Sequence, residues 1–451
     1  MAYAIDLFSG AGGMSEGIIQ AGFDILFSSD INEDVMKTYI NRHEQLGLIQ
    51  GYNTHFELAD IKDLTGDLIT ESIANLEIFK GKEVPHIDAI FGGPPCQGFS
   101  RAGNANDPRN KLFKEYVRVI DEVKPDYVVL KSVEGFCDLK LHDFEGLQGD
   151  IYDSNVVPDI LEEELDLIGY DMLNPRCLNA ANYGVPQRRN RIIVMAYKKG
   201  MMAPRYPRAT HDENNFVSVQ DAIGDLIQDA NIKDKVNPKP SQYQLDSIRG
   251  RTPDVDGNPI ASNEITNNDF PRHFNLVKER FSLFEEGENG TNLRNRIKAE
   301  GIDLSDKPKL LEHLQDNSTL TKNEIISKFK NADVNDELLD VLLTRKIMKN
   351  RLDRNEPSVT IVSIPEDNIS PFENRTLTVR ESARLQSFDD SFEFLGRRTT
   401  NGSRRRNVTQ YFQVGDAVPP LLAKAIAKEI LKVVEYIFIL FSYVNVNIVL
   451  S

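Results

Sequence analysis

The chain has 451 residues, of which 40% are hydrophobic and 27% charged, and its formal net charge is -16. This length suffices for two or three domains with sizeable cores, and the composition is ordinary for a soluble globular protein. Three cysteines without a Cys-x-x-Cys pair argue against a disulfide scaffold and predict a reducing, cytoplasmic location. The histidines show no His-Glu-x-x-His or similar spacing, so we expect no metal. Met1 leads straight into a strand-like run, so we also expect no signal peptide.

The first predicted unit is a strand, a glycine-rich turn and a helix. Residues Ala4–Phe8 form an apolar run, residues 9–13 are rich in glycine, and a helical pattern covers Met14–Ala21. A second strand, Asp24–Ser29, ends at Asp30. Glycines in such a turn let the backbone approach a ligand closely, and an acidic residue at the end of the second strand usually holds ribose hydroxyls. The turn lacks the Gly-Lys-Ser/Thr ending of a phosphate loop, so the unit predicts a nucleoside cofactor.

The next chemically informative segment presents a cysteine after a strand. The apolar run Ile87–Phe91 is followed by Gly92-Gly93 and then by Pro94-Pro95-Cys96-Gln97. A strand that leads into a Gly/Pro turn can place one nucleophile at the edge of a sheet. The alternative is a tight turn with an inert cysteine, because free cysteine often behaves as a small buried hydrophobe.

Strand-like and helix-like runs alternate up to about Lys198. The strands are predicted at Ala4–Phe8, Asp24–Ser29, Ile87–Phe91, Tyr127–Leu130 and Arg191–Ala196, and the helices at Met14–Ala21, Glu33–Asn41, Arg109–Val123 and Ser154–Ile168. Such alternation predicts an α/β fold with a doubly wound, mostly parallel sheet, accompanied here by a second, smaller domain. Ligands then bind at the carboxyl ends of the strands.

Taken together, these segments resemble the DNA (cytosine-5) methyltransferase family of prokaryotic restriction-modification systems. The motifs follow the family's order over residues 1–197 and 356–430. They comprise the blocks 6–13, 92–100, 107–113, 375–381 and 413–420, together with Gln187, Arg189 and Arg191, which match the family's Gln-x-Arg-x-Arg motif. The resemblance implies a Rossmann-like methyltransferase fold.

The resemblance also implies S-adenosylmethionine as the cofactor and assigns roles to residues. Asp30 is expected to hold the cofactor ribose, and Asp60 with Ile61 to contact the adenine. The expected cofactor-binding residues are Asp6, Phe8, Gly10, Gly12, Gly13, Asp30, Ile31, Asp60, Ile61, Pro94, Asp416 and Ala417. The expected catalytic residues are Cys96, Arg191, Arg189, Gln187 and Lys131.

The reaction explains why a cysteine is needed. A thiolate that adds to C6 of cytosine makes the ring an enamine, and C5 can then attack the sulfonium methyl group. An unperturbed cysteine has a pKa of about 8.5, so little of it is thiolate at neutral pH. Cations such as Arg189 and Arg191 would raise that fraction, although they could instead bind a phosphate or a carboxylate. The resemblance implies that Arg191 contacts the target base, which has to leave the duplex to be reached.

The chain departs from the family at the end of the strand Tyr127–Leu130. The family has Glu-Asn-Val there, with the Glu hydrogen-bonded to N3 and the exocyclic amine of the base, whereas this chain has Lys131-Ser132-Val133. A lysine ammonium donates to N3 but cannot accept from the amine. Glu134 would point elsewhere if the strand continues. Two smaller departures are Asp416 where Asn is usual and Asn182 where Asp is common. These residues predict impaired turnover, unless Lys131 acts through a relayed water.

The predicted domains are a catalytic domain at 1–197, a target recognition domain at 198–356, the C-terminal part of the catalytic domain at 357–435 and an apolar tail at 436–451. A helix is predicted over Pro420–Val434. The tail is compatible with an added edge strand, an aggregation-prone extension, or sequence translated outside the original reading frame.

Duplex DNA is the expected substrate, despite the net charge of -16. DNA binding depends on local basic patches, and two are present at 187–191 and 397–406. The second patch is equally compatible with a solvated charge run.

Three functional classes fit these residues: a DNA cytosine-5 methyltransferase, a tRNA cytosine-5 methyltransferase of the same family, and a catalytically inactive DNA-binding relative. The long 198–356 interval argues against the tRNA branch. We expect a monomer that does not bind membranes and is paired with a restriction endonuclease acting on the same site.

Overall fold

The computed structural model describes residues 1–95, 107–344, 349–364, 367–399 and 408–449, without the side chains of residues 108, 110 and 437–449. The first part of the chain alternates strands and helices, as its sequence predicts. Its elements are β1 (Ala2–Leu7), α1 (Gly13–Ala21), β2 (Phe23–Asp30), α2 (Glu33–Gln45), β3 (His55–Leu58), α3 (Gly66–Ala74), β4 (Ala89–Gly92), α4 (Leu112–Val123) and β5 (Tyr127–Ser132).

Short strands precede the next helix and shift its start. The elements are β6 (Lys140–Leu141), β7 (Phe144–Glu145), β8 (Ile151–Tyr152), β9 (Asn155–Val156), α5 (Val157–Leu167), β10 (Tyr170–Met172), β11 (Arg176–Asn179) and β12 (Asn190–Lys198). The predicted helix at Ser154–Ile168 starts too early. Ser154 has a φ of 64°, outside the helical region, and Asn155 and Val156 pair with β6. The helix can start at Val157 because Pro158 is compatible with a first turn.

The central sheet confirms the mostly parallel arrangement. Its strand order is β10-β12-β5-β4-β1-β2-β3, with β11 also paired to β12. The five strands from β5 to β3 in this order are parallel to one another. Strand β12 is antiparallel to β5, β10 and β11. The carboxyl ends of β1, β2, β4 and β5 therefore meet at one edge, where Leu7, Asp30, Gly92 and Ser132 lie.

The rest of the chain is mainly helical. Its elements are α6 (Val219–Ile223), α7 (Ala230–Val236), α8 (Gln242–Arg249), α9 (Asn275–Phe281), α10 (Gly290–Glu300), α11 (Pro308–Asp316), α12 (Lys322–Lys330), α13 (Asp336–Leu343), β13 (Asn350–Arg351), β14 (Asn368–Ile369), α14 (Val379–Leu385), α15 (Gln410–Asp416) and α16 (Pro420–Val449). Helices α9 to α13 share a separate apolar core, whereas α6 and α8 pack with α14 and α15.

The last helix continues past the predicted Pro420–Val434. An edge strand for the tail is therefore wrong, because α16 extends without a break to Val449. Residues 436–449 contain no Pro or Gly that would end a helix, and β-branched residues lower helix propensity only slightly. Among the residues that the structure describes, no helix combines the length and the apolar character needed to cross a membrane.

Two apolar cores cover the two faces of the sheet. Helices α3, α4 and α5 cover one face, and α1 with α16 cover the other. The contact between α1 and α16 is close at Gly17, where an added Cβ would lie 2.4 Å from Ala423 Cβ and 2.5 Å from the carbonyl oxygen of Pro420. A C-terminal helix thus packs directly on the helix that follows the glycine-rich turn.

This contact predicts that Gly17→Ala destabilises the protein by about 1–3 kcal/mol, because the added methyl group overpacks the helix pair. Urea unfolding measures the change. The exposed Lys428→Ala on α16 is the control and should change stability by less than about 0.5 kcal/mol. Equal stability of Gly17→Ala and the wild type would contradict this packing.

Candidate active site

A cleft of about 800 Å³ lies at the carboxyl edge of the sheet. Its walls are the glycine-rich turn, the end of β2, residues 59–62 and 93–95, and the segments 360–363 and 412–418. The volume is in the range of sites for cofactors and other small molecules. The sequence-predicted nucleoside site and the loop that precedes Cys96 therefore share one cavity.

The glycine-rich turn is fixed by the carboxylate of Asp30. One carboxylate oxygen accepts from the Gly10 amide at 3.0 Å, and the other accepts from the Asn32 amide at 2.9 Å. Gly10 has a φ of 55°, which residues other than glycine adopt only rarely. Burial raises the pKa of Asp30, although its backbone hydrogen bonds act in the opposite direction. Asp30 thus shapes the turn as well as facing the cleft.

Most of the expected cofactor residues come together. Phe8, Gly10, Asp30, Ile31, Asp60, Ile61, Pro94, Asp416 and Ala417 all line the cleft. Asp6, Gly12 and Gly13 support it from behind. A Cβ at Gly12 would lie 3.2 Å from the Tyr39 ring, and one at Gly13 would lie 2.5 Å from the carbonyl oxygen of Val418. These two glycines therefore allow close packing behind the turn.

Asp6 is a buried carboxylate directly behind the cleft. It is 1% exposed, and Ser15 Oγ donates to its Oδ2 at 2.5 Å. Its Oδ1 has no hydrogen-bond partner among the described residues. Burial, with a smaller contribution from the charge of Asp30, raises the pKa of Asp6 to about 7, whereas the Ser15 hydrogen bond and the charge of Lys131 act to lower it. Asp6 is thus a titratable support near neutral pH.

Lys131 lies at the carboxyl end of β5 and lines the cleft. Its Cε is 3.0 Å from the position that a Cβ on Gly93 would occupy, so the side chain packs against the backbone of the loop that leads to Cys96. The next residue, Ser132, is buried. Glu134 lies outside the cleft lining and accepts a hydrogen bond from Asn190 Nδ2 at 2.7 Å. Lys131 is therefore the residue of this group that faces the site.

The three residues of the Gln-x-Arg-x-Arg motif have different surroundings. Arg191 is half-buried and lines the cleft. Arg189 also reaches the cleft, but it is 2% exposed and donates to the carbonyl oxygens of Ile361 at 2.9 Å and Gly415 at 2.6 Å. The acceptors described for Arg189 thus include backbone carbonyls of the cleft wall and the side-chain oxygen of Gln187.

Gln187 is fully buried and does not line the cleft. Its Nε2 donates to the carbonyl oxygen of Leu385 at 3.1 Å, and its Oε1 accepts from the Ile361 amide at 2.8 Å. Its amide joins the segment before β12 to the C-terminal part of the fold, so the structure places Gln187 outside the cleft, and its expected catalytic role stays a prediction. Its contact with the Ile361 amide holds the segment beside Arg189.

Some predicted residues lie outside the described part of the chain. These are Cys96 and Arg404 to Arg406 of the second basic patch. Within that patch, Arg398 donates to the carbonyl oxygen of Asp269 at 3.1 Å.

The cleft also contains residues that the sequence reasoning missed. Thr360, Ile361, Val362 and Ser363 form part of its lining, and Ser363 Oγ donates to Asp416 Oδ1 at 2.8 Å. The sequence signal was the β-branched run 359–362, which is typical of an extended segment. The position of segment 360–363 beside the cleft depends on the long-range contacts of Gln187 and Arg189 with Ile361.

The chain is similar to known proteins over nearly its whole length. The family model for C-5 cytosine-specific DNA methylase matches residues 3–432. The chain is 29% identical to the type II methyltransferase M.DdeI of Desulfomicrobium norvegicum, over 94% of this chain and 88% of that protein. It is 31% identical to the type II methyltransferase M1.HphI of Haemophilus parahaemolyticus, over 95% of this chain and 86% of that protein.

One solved structure is similar over nearly the whole fold. It is assigned as a DNA modification methyltransferase encoded within a prophage (E. coli), with a TM-score of 0.61 and 21% identity over 96% of this chain and 100% of that chain. At 21% sequence identity, this similarity supports a common fold and nothing more specific.

The surroundings of Asp6 predict a pH-dependent effect on stability. Its pKa is about 7 when folded and about 3.9 when unfolded, so the folded state binds more protons between these values. The contribution of Asp6 to the free energy of unfolding is fully present below the pKa of the unfolded state. It falls as pH rises to about 7, by at most about 1.4 kcal/mol per pH unit. Asp6→Asn removes this dependence and keeps an acceptor for Ser15.

Urea unfolding of the cofactor-free protein at pH 5, 6, 7 and 8 measures the effect. The stability of Asp6→Asn relative to the wild type should increase up to about pH 7 and then level off. The exposed Asp67→Asn is the control, and its difference from the wild type should not change with pH. A pH-independent difference for Asp6→Asn would show that Asp6 is already ionised at pH 5.

Proposed function

Because the chain belongs to the C-5 cytosine-specific DNA methylase family, we propose that it methylates C5 of cytosine in a specific duplex DNA sequence through a covalent adduct between Cys96 and C6. Its relatives are methyltransferases of type II restriction-modification systems. The observation that carries the proposal is the shared cleft, in which the turn fixed by Asp30 faces Pro94, Lys131 and Arg191.

The cleft has groups suited to a nucleoside cofactor. The family uses S-adenosylmethionine, which supplies an electrophilic methyl group when bound. Asp30 would accept hydrogen bonds from the ribose hydroxyls, since its carboxylate lines the cleft in addition to holding Gly10. Asp60 and Ile61 would contact the adenine, and Phe8 adds an aromatic wall. These residues are assigned by their matching positions in the family and by their common cavity.

The chemical step depends on groups near the loop 93–95. In the proposed mechanism, the Cys96 thiolate bonds to C6, and electron density moves to C5, which would take the methyl group as its bond to the sulfonium sulfur breaks and leaves a neutral thioether. Loss of the C5 proton and breakage of the C6–S bond regenerate the thiolate. The positive charge of Arg191 at the cleft favours the thiolate form. Arg189 supports the cleft wall through its contacts to Ile361 and Gly415.

Lys131 is expected to slow this step. In the position that is Glu in the family, its ammonium can donate to N3 but cannot accept from the amine. It also adds a positive charge to a cleft that Lys62, Arg109, Arg189 and Arg191 already line. The loss of a positioned general acid typically lowers the rate by about 10²–10⁴-fold. The presence of Lys131 also supports the second candidate function, which is binding of DNA and cofactor without turnover.

The substrate base has to be flipped out of duplex DNA, which requires a few kcal/mol of free energy for unstacking and unpairing. We propose that the exposed Arg188 and the Arg residues of 397–406 contact phosphates locally and so overcome the net charge of -16. We also propose a restriction endonuclease of the same site specificity as the functional partner, by analogy with the type II relatives.

The cofactor assignment predicts that Asp30→Ala weakens S-adenosylmethionine binding by at least about tenfold. The substitution removes hydrogen bonds to a charged acceptor, which are each worth about 1.5–3 kcal/mol. Isothermal titration calorimetry measures the affinity. Asp63→Ala, at an exposed carboxylate after the adenine-side residues, is the control and should bind as the wild type does. Undiminished binding by Asp30→Ala would remove Asp30 from the cofactor site.

The catalytic assignment predicts that Lys131→Glu/Ser132→Asn raises methyl transfer by about 10²–10⁴-fold over the wild type, because a general acid that also accepts from the exocyclic amine is restored. The assay follows labelled methyl groups from S-adenosylmethionine into genomic DNA of a host without cytosine-5 methylation. Any activity should disappear with Cys96→Ala in either background.

Lys140→Glu, a charge reversal at an exposed position, is the matched control and should leave the rate unchanged. A high rate for the given chain with no increase in the double variant would contradict the impairment. Activity that survives Cys96→Ala would contradict the covalent mechanism.

A further inference from the structure

A cluster of metal-ligating groups lies at the amino edge of the sheet, opposite the cleft. It consists of His86 and Asp88, which precede β4, and Asp126, which precedes β5. Each offers one ligand atom, and these atoms all lie within 4.8 Å of one another. The mechanism proposed for the cleft uses none of these residues.

The sheet itself places the three side chains together. In the parallel register Ala89 is the partner of Tyr127, so Asp88 and Asp126 occupy neighbouring positions one residue before each strand. His86 is two residues before Asp88 and therefore lies on the same side of an extended chain. Two carboxylates held side by side repel each other unless a cation lies between them.

The cluster is also preorganised. The Asp88 backbone bonds to β1 and β5 through Tyr3 and Tyr127, and the Tyr3 amide donates to Asp88 Oδ2 at 2.7 Å. The Asp126 carbonyl oxygen accepts from the Lys198 amide at 2.9 Å. The backbones of both aspartates, and the carboxylate of Asp88, are thus held by neighbouring strands, and binding would require little ordering of the backbone. Such supporting hydrogen bonds orient ligands in metal sites.

The distances suit coordination. His86 Nε2 and Asp126 Oδ2 are 2.9 Å apart. Two adjacent ligands at about 2.0–2.2 Å from one ion lie roughly 3 Å apart in an octahedral sphere and roughly 3.4 Å apart in a tetrahedral one, so the pair needs only a small separation to take Zn²⁺. The side chain of His86 is 56% exposed, so an ion can enter from solvent and waters can complete the sphere. An imidazole beside two carboxylates favours a divalent transition metal over Mg²⁺ or Ca²⁺, which prefer oxygen ligands alone.

We propose that His86, Asp88 and Asp126 bind one divalent transition-metal ion, with Zn²⁺ as the favoured ion. The ion ties the amino ends of β4 and β5 together and is separate from the methyl-transfer site. The competing arrangement is a protonated His86 that neutralises the two carboxylates without any metal.

The test uses the untagged full chain after treatment with a chelator. Titration with Zn²⁺ against a chromogenic chelator gives the stoichiometry and affinity, and Mg²⁺ is titrated in parallel by calorimetry. We expect one Zn²⁺ per chain, affinity weakened at least about tenfold by His86→Ala and by Asp126→Asn, and no comparable Mg²⁺ binding. Thermal unfolding without metal verifies that each variant is folded.

His142→Ala is the matched control. His142 Nδ1 lies 3.0 Å from Asp153 Oδ1 in a similar exposed pair, but no other metal-ligating cluster is found among the described residues. This variant should retain the Zn²⁺ affinity of the wild type. Binding through thiols such as Cys137 and Cys177 would survive His86→Ala, and that result would overturn the proposal. A chain that binds no Zn²⁺ would overturn it as well and would favour the protonated histidine.

Discussion

The guanidinium group of Arg189 joins parts of the fold that are far apart in the sequence. Arg189 directly precedes β12 and donates to carbonyl oxygens of Ile361 and Gly415, while Gln187 holds the Ile361 amide and the end of α14. A buried cation is tolerated when it is well hydrogen-bonded, and each bond here also fixes a backbone segment of the cleft. The position of the cleft wall 360–363 therefore depends on β12.

A second group of buried charges attaches the helices near the glycine-rich turn to the later chain. Arg42 on α2 forms a two-point contact with Glu16 on α1, and Glu16 also accepts from Thr252 Oγ1 at 2.5 Å. Asp389 accepts from the Thr252 amide at 3.2 Å. Removal of one partner would leave a buried charge without compensation, which is more destabilising than loss of an exposed ion pair. The cofactor-side helices and the region that follows α8 thus form one polar network.

The sequence was most informative where the signal was local. Strand and helix alternation gave the parallel sheet, and the glycine-rich turn with Asp30 gave one side of the cleft, because both patterns depend on short-range backbone geometry. It was less informative for Gln187, since a buried amide and a cleft-facing amide have the same local sequence. Segment 360–363 and the cluster of His86, Asp88 and Asp126 were missed because each depends on strand pairing or contacts between distant segments. The expectation of no metal considered spacing within single segments, which cannot detect such a cluster.

The packing of α16 on α1 has a consequence for synthesis. Gly17 leaves the ribosome early, whereas Pro420 and Ala423, which it contacts, leave near the end. Segment 412–418 of the cleft is likewise made late. During translation, one face of the sheet thus stays exposed until these residues have been made, and the cofactor cleft is completed only when they dock. Chaperones that shield apolar surface have their longest opportunity to bind at this face.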